Sequence, residues 1–186
     1  LYSGSGSGDH SIKVWNCSNH KLITTLGVPE EHDEEGEYEG HTGWVQCHTI
    51  NDGKLYSGSW DCSIKVWDCS TNKLITTLTE HTSGVSRLLT HGGKLYSNAN
   101  KVIKVYDCSD DTLITTLNTR SVTCLEIHDG KMYTGSIDKT INVYDCSDDS
   151  LITTLRGHTY TVYELTFQNG KLYSKQHDGA IYIWQL

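Results

Sequence analysis

The 186-residue chain is long enough to bury a substantial core, yet only 36% of it is hydrophobic, with 17 glycines, one proline and one phenylalanine, a composition that suits short strands and many turns. A formal net charge of −8, from 15 Lys and Arg against 23 Asp and Glu, argues against nucleic acid and anionic membrane as partners. No apolar run approaches the ~18 residues that span a bilayer and no charged-then-apolar leader suggests secretion, so the expected location is cytoplasmic.

In chain order, LYSGSGSGDHSIKVWNCSNHKLITTL is followed by the acidic stretch GVPEEHDEEGEYE, from Gly27 to Glu39, with seven Asp and Glu. The fullest block comes next: GHTGWVQCHTI, KLYSGS, SIKVWD and KLITTL, named segments a to d. KLYSNANKVIKVYDCSDDTLITTL, KMYTGSIDKTINVYDCSDDSLITTL and KLYSKQHDGAIYIWQL repeat it. The aromatic closing each segment c falls at Trp15, Trp67, Tyr106, Tyr144 and Trp184, in steps of 52, 39, 38 and 40 residues. Five copies of one unit near 40 residues long therefore make up the chain, and the acidic stretch accounts for the one long step.

Every segment reads as a strand: four to eight residues, rich in Val, Ile, Thr, Tyr and Trp, and bounded by turn clusters such as Asn51-Asp52-Gly53 and His91-Gly92-Gly93. No segment sustains a helical period. Leu55 and Ser57 oppose Tyr56 and Gly58, and Leu74 and Leu78 oppose Ile75 and Thr77, so both faces of each sheet are semi-apolar. Such a sheet packs between two others, and radial stacking of four-stranded sheets is a β-propeller. The expected fold is all-β, about 4.5 blades: a partial blade over 1–26 (segments b, c, d), an acidic loop over 27–40, a blade over 41–78, degenerate blades over 79–117 and 118–155, and a partial blade over 156–186 (segments a, b, c). Opening inside a segment b and ending after a segment c, the chain reads as part of something longer.

The pattern GH, strand, SGSxD, IKVWD resembles the WD-repeat (WD40) family, whose members fold as β-propellers. Two copies carry the family's set: Gly40-His41, Ser57, Asp61 and Trp67-Asp68, and Gly157-His158, Ser174, Asp178 and Trp184. The resemblance implies a hydrogen-bond chain from Trp to Ser to His to Asp, which suits the donors and acceptors of those side chains. Copy three keeps His81 and Ser97 but is one residue short where Asp is expected, and has Tyr106 for Trp. Copy four keeps Thr134 and Asp138, with Tyr144 for Trp, and its Asn118-Thr119-Arg120 turn has lost the Gly-His pair. These two copies are expected to be the looser blades.

Ser, His and Asp together are also the residue types of a hydrolase triad. A triad is needed once, whereas this set recurs, so a structural network is expected and no catalytic residue is assigned. No two cysteines have Cys-x-x-Cys spacing and Cys47-His48 is an isolated pair, so no metal or other cofactor is expected. Cys17, Cys69, Cys108 and Cys146 occupy one equivalent place in four copies and are expected to be free thiols. The glycines of LYSGSGSGD open no helix and read as a turn with two extra residues. Asn16-Cys17-Ser18 matches a glycosylation sequon, to which the missing leader gives no weight.

The expected function is that of a non-catalytic scaffold binding other proteins or peptides. In propellers of the resembled family, partners meet residues flanking the first Val of segment a and the residue before the segment b Asp. Carried over, these are Trp44 and Gln46 around Val45, Ser86, Thr123 and Tyr163, with Gly8, Trp60, Ile137 and His177 in the second set and Asn100 displaced by the deletion. Trp44, Trp60 and Tyr163 are the rigid aromatics that binding hot spots favour. None of the positions is Arg, which argues against reading phosphorylated degradation signals there. The acidic stretch reads first as a solvated loop, and the sharper alternative is an electrostatic lure for a basic partner. Two other readings stand beside the scaffold: a substrate-recruiting arm of a larger ubiquitin ligase or protein kinase, and a fragment that self-associates through its unpaired edge strands.

Overall fold

The computed structural model describes residues 1–4, 9–27 and 39–185; the glycine-rich turn with Gly8 and nearly all of the acidic stretch lie outside the described residues. The described residues form five antiparallel sheets and contain no helix. The first holds β1 (Tyr2–Gly4), β2 (Ile12–Trp15) and β3 (Leu22–Leu26); the second β4 (Val45–Asn51), β5 (Lys54–Ser59), β6 (Ile64–Asp68) and β7 (Leu74–Leu78). The third holds β8 (Arg87–His91), β9 (Lys94–Ala99), β10 (Val102–Asp107) and β11 (Leu113–Asn118); the fourth β12 (Val122–His128), β13 (Lys131–Ser136), β14 (Thr140–Asp145) and β15 (Leu151–Arg156); the fifth β16 (Val162–Gln168), β17 (Lys171–Gln176) and β18 (Ile181–Gln185). In every sheet, strands adjacent in sequence are adjacent in space. The chain forms two compact units, Leu1–Leu88 and Leu89–Leu186.

Local chemistry explains the meander. The β4–β5 turn places Asp52 at φ 44° and Gly53 at 77°, and the β12–β13 and β16–β17 turns do the same with Asp129-Gly130 and Asn169-Gly170. Two consecutive positive φ values make the two-residue hairpin turn whose twist matches the strands it joins, which is why Asp-Gly and Asn-Gly occur there. The turns after each segment c use a different device. Asp68 Oδ1 accepts from the Ser70 amide at 2.8 Å and the Ser70 hydroxyl at 2.6 Å; Asp107 with Ser109 and Asp145 with Ser147 repeat it. The amides of Cys69, Cys108 and Cys146 donate to the carbonyls of Gly53, Gly93 and Gly130 at 2.8–2.9 Å, so the recurring Cys place is fixed through its backbone. No disulfide is present among the described residues.

The sheets bury their faces within each unit, as semi-apolar strands require. In the first unit, Ile12, Val14 and Leu26 pack with Val45, Leu55 and Trp67. In the second, Tyr96, Ile103 and Val105 pack with Val122, Leu125 and Met132, while Tyr133, Ile141 and Val143 pack with Val162, Leu165 and Leu172. A polar latch accompanies the apolar contact: Lys94 Nζ donates to the Cys146 carbonyl and to Asp149 Oδ2, both at 2.9 Å, and the Tyr96 hydroxyl donates to Asp149 Oδ1 at 3.1 Å.

Glycine sets the spacing between neighbouring sheets. A Cβ on Gly135 would lie 2.4 Å from Cys124 Sγ and 2.8 Å from Val162 Cγ1, and one on Gly58 would lie 2.6 Å from Val85 Cγ1. Gly135→Ala is therefore expected to destabilise the protein by about 1–3 kcal/mol through overpacking, read as a lower urea midpoint. Adding Cys124→Ala should recover part of the loss; additive losses in the double variant would show that the clash is not the cause.

Candidate functional site

One buried hydroxyl organises the second sheet. Ser57 Oγ accepts the Trp67 indole N–H at 2.9 Å and lies 2.9 Å from His41 Nε2, while His41 Nδ1 lies 2.8 Å from Asp61 Oδ2. With the His41 proton on Nδ1, every member is satisfied: Ser57 accepts from Trp67 and donates to Nε2, and Nδ1–H donates to Asp61. Asp61 Oδ2 also accepts the Thr42 amide at 2.9 Å, and its Oδ1 accepts the Ser63 amide at 2.9 Å and hydroxyl at 2.6 Å. Ser57 is 0% exposed and already engaged on both sides, so a Ser-His-Asp arrangement of this kind cannot present a nucleophile to a substrate.

The other copies depart from this in different ways. In the fifth sheet, Trp184 Nε1 and His158 Nε2 both lie 2.7 Å from Ser174 Oγ. His158 Nδ1 meets Gln176 Oε1 at 3.1 Å, and Gln176 Nε2 donates to Asp178 Oδ2 at 2.9 Å. The expectation that Asp178 partners His158 directly is thus corrected: buried Gln176, at the place of Ser59, is long enough to stand between them. In the fourth sheet, Asp138 Oδ1 accepts the Thr140 amide and hydroxyl, and Arg120 Nε lies 3.3 Å from Asp138 Oδ2 where the other copy has imidazole. Thr134 Oγ1 is buried without a hydrogen-bond partner. His81, Ser97 and Tyr106 are buried, and the Ser97 hydroxyl lies 3.3 Å from the Lys104 carbonyl.

Sequence reading missed three participants. Ser63 was legible as the second residue after Asp61, the spacing at which a serine closes an Asx turn. The Trp15 indole donates to Ser3 Oγ at 3.0 Å, extending the Trp–Ser link to the first sheet. Gln176 carried no signal, because its role depends on side-chain reach across the turn.

The carried-over partner positions are held by a repeated backbone device. The amides of Trp60, Ile137 and His177 donate to the carbonyls of Trp44, Ser121 and Thr161 at 3.0, 3.2 and 3.0 Å. Gln46, Thr123 and Tyr163 sit where the register of segment a slips against segment b, and such bulges re-aim a side chain. In the first unit, the Trp44 and Trp60 rings stack with centroids 4.7 Å apart and 21° between planes, while 41% and 57% of these residues stay exposed. Gly84 lies against Trp60: a Cβ there would be 3.1 Å from Trp60 Cα and Cδ1. Gln46 is exposed and Ser86 half-buried.

In the second unit, Ile137 and His177 are exposed, and Lys175 Nζ lies 5.4 Å from the centroid of the Tyr163 ring. Thr123 is half-buried, and its hydroxyl turns inward to the carbonyls of Gly135 and Val162. Among the described residues no group of three or more His, Cys, Asp or Glu could hold a metal ion.

A family model described as WD domain, G-beta repeat matches residues 33–68 and 111–145. An uncharacterized WD repeat-containing protein of Schizosaccharomyces pombe is 38% identical over 84 residues, covering 43% of this chain and 20% of its own. F-box/WD repeat-containing protein 9 of Homo sapiens is 36% identical over 70 residues, covering 34% of this chain and 14% of its own. The crystal structure of the computationally designed Ika8 protein matches 100% of this chain and 55% of its own with a TM-score of 0.82 at 25% identity. The antiparallel sheets are blades, and the fold is that of a β-propeller segment. Two stretches of the chain match the WD-repeat model, and the chain is similar to WD repeat-containing proteins. The stretches matched are a fifth or less of these two natural relatives' lengths.

The network carries a pH signature. Burial raises the Asp61 carboxyl, but hydrogen bonds from His41 and Ser63 outweigh it and hold the group well below its ordinary 3.8. A folded-state value below the unfolded one adds stability that is complete above the unfolded value and is lost as the pH falls through the folded one. Asp61→Ala is expected to cost about 1–3 kcal/mol at pH 7. In urea unfolding, the gap between wild type and variant should narrow below about pH 4; a constant gap would refute the assignment.

Proposed function

We propose that this chain is a non-catalytic scaffold that holds protein or peptide partners, and that its principal contact in the first unit is the Trp44–Trp60 shelf. The carrying observation is that two large rings stack on each other yet stay about half exposed. A rigid aromatic pair offers wide apolar area at little entropic cost, which is what hot spots are made from. Gln46 and Ser86 supply polar neighbours, and Ile137, Tyr163 and His177 form a second set in the other unit.

Supporting the scaffold reading, the family model that matches describes repeats rather than a catalytic domain. The seven acidic residues between Gly27 and Glu39, in a chain of net charge −8, favour a basic partner by long-range attraction. Similarity to an F-box/WD repeat-containing protein supports a second reading, in which these blades recruit substrates to a larger ubiquitin-ligase assembly.

Trp60→Ala and Trp44→Ala, compared with wild type in a pull-down with quantitative mass spectrometry, test the shelf. Partners are expected to fall by about tenfold or more, the effect of one hot-spot truncation, and to be retained in an Ile114→Ala control. An unchanged partner set in both tryptophan variants, with folding verified by circular dichroism, would eliminate the shelf as the contact.

A further inference from the structure

The fourth blade has a cavity next to its altered network. Four residues separate Leu117 from Val122, whereas six separate Leu78 from Val85 and Leu155 from Val162. The shortened connector lacks the histidine that the second copy places beside its Asp, and tyrosine replaces the indole. A cavity of about 440 Å³ lies here, lined among others by Thr119, Arg120, Asp138, Asn142, Tyr144 and Arg156.

Its hydrogen-bonding character is lopsided. Asp138, its one carboxylate, is engaged at both oxygens: Oδ1 accepts the Thr140 amide and hydroxyl, and Oδ2 faces Arg120 Nε. Asn142 Oδ1 accepts from the Thr154 hydroxyl at 2.7 Å. The Asn142 side chain hydrogen-bonds the Tyr144 hydroxyl, and what remains is chiefly the donors of the Arg120 terminal nitrogens and the Arg156 guanidinium. Arg156 has no ion-pair partner among the described residues, and Thr119 Oγ1 is buried without a hydrogen-bond partner. The chain has three arginines, Arg87, Arg120 and Arg156, and two of them line this cavity.

We propose that this cavity binds an oxyanion, a carboxylate or phosphoryl group carried by a partner peptide. Arg120 and Asp138 cancel in charge, leaving Arg156 as the net positive group, and a planar guanidinium presents paired N–H groups to the two oxygens of such an anion. The negative charge of the whole chain opposes anions at long range, but salt screens that field beyond roughly 8 Å. A cation would meet two guanidinium groups and a carboxylate already paired with one of them. The volume exceeds a bare phosphate and admits the stem of a side chain.

The test is a titration of the ¹⁵N-labelled chain at constant ionic strength with inorganic phosphate, and separately with glutarate, followed by amide chemical shifts. Saturable shifts are expected at Thr119, Arg120, Asn142 and Arg156, with a Kd of roughly 1 mM or tighter for at least one probe. Arg156→Gln, at an exposed position, should weaken that Kd by about tenfold, whereas Arg87→Gln should leave it unchanged. Phosphate saturating alone would identify a phosphoryl ligand, and glutarate saturating alone a carboxylate. Shifts that stay linear for both probes, or a Kd equal in wild type and Arg156→Gln, would overturn the proposal. The tryptophan variants used for the partner shelf lie in the other unit, so either idea can fail without the other.

Discussion

Everything in the second blade turns on a single hydroxyl. Ser57 receives the Trp67 indole from β6 and engages His41 from the connector ahead of β4, while His41 passes the chain on to the Asp61 turn. One side chain thus links β5, β6 and the connector ahead of β4. At about 0.5–1.5 kcal/mol net for each link, the network adds a few kcal/mol to its blade. Its greater effect is specificity, because a buried hydroxyl with both sides engaged fits only one arrangement of indole and imidazole. The same completeness removes it from chemistry: a serine that is fully buried and doubly bonded is a fastener.

Fastening the interior leaves the loops between strands available for variation. The amides of Trp60, Ile137 and His177 make the same backbone bond in three blades, yet the side chains are an indole, a branched alkyl group and an imidazole. The bulge residues Gln46, Thr123 and Tyr163 show the same division. Backbone geometry is held constant by hydrogen bonds that every residue can make, and side-chain chemistry is then decoupled from stability. A repeat built this way can change what it binds without changing how it folds, which is why recognition in such proteins is spread over equivalent positions on successive blades.

Much of this was legible in the sequence because period and turn chemistry are local. The returning KLYSGS, IKVWD and KLITTL segments marked three of the four strand types, and turn clusters such as Asn51-Asp52-Gly53 marked their boundaries. The Trp–Ser–His–Asp set was readable through the resemblance to WD repeats, whose residues stand complete in two copies. Illegible features were those that depend on reach across space. Gln176 sits in a position occupied elsewhere by serine, and only the geometry shows it bridging His158 and Asp178. Lys94 and Tyr96 reach Asp149 more than fifty residues away, although the K-x-Y and D-C-S-x-D patterns that supply them recur in plain sight. The inward turn of the Thr123 hydroxyl toward the Gly135 and Val162 carbonyls followed from bulge geometry that no residue type announces.

The fourth blade shows what happens when the fastener is dismantled piece by piece. Where the second blade has His41 donating to Asp61, Asp138 Oδ2 faces Arg120 from the shortened connector. Losing the indole strips Thr134 of its donor and leaves a buried hydroxyl unpaired, a cost of about 1–3 kcal/mol. The blade persists because Tyr144, Val122 and Met132 still pack into the apolar cluster shared with Tyr96 and Ile103, and because the Lys94–Asp149 latch ties it to its neighbour. Contacts between blades hold this sheet where its internal polar network is incomplete. Arg120, which faces the carboxylate in place of an imidazole, also lines the cavity, so the altered fastening of this blade and the chemistry of its cavity share a residue.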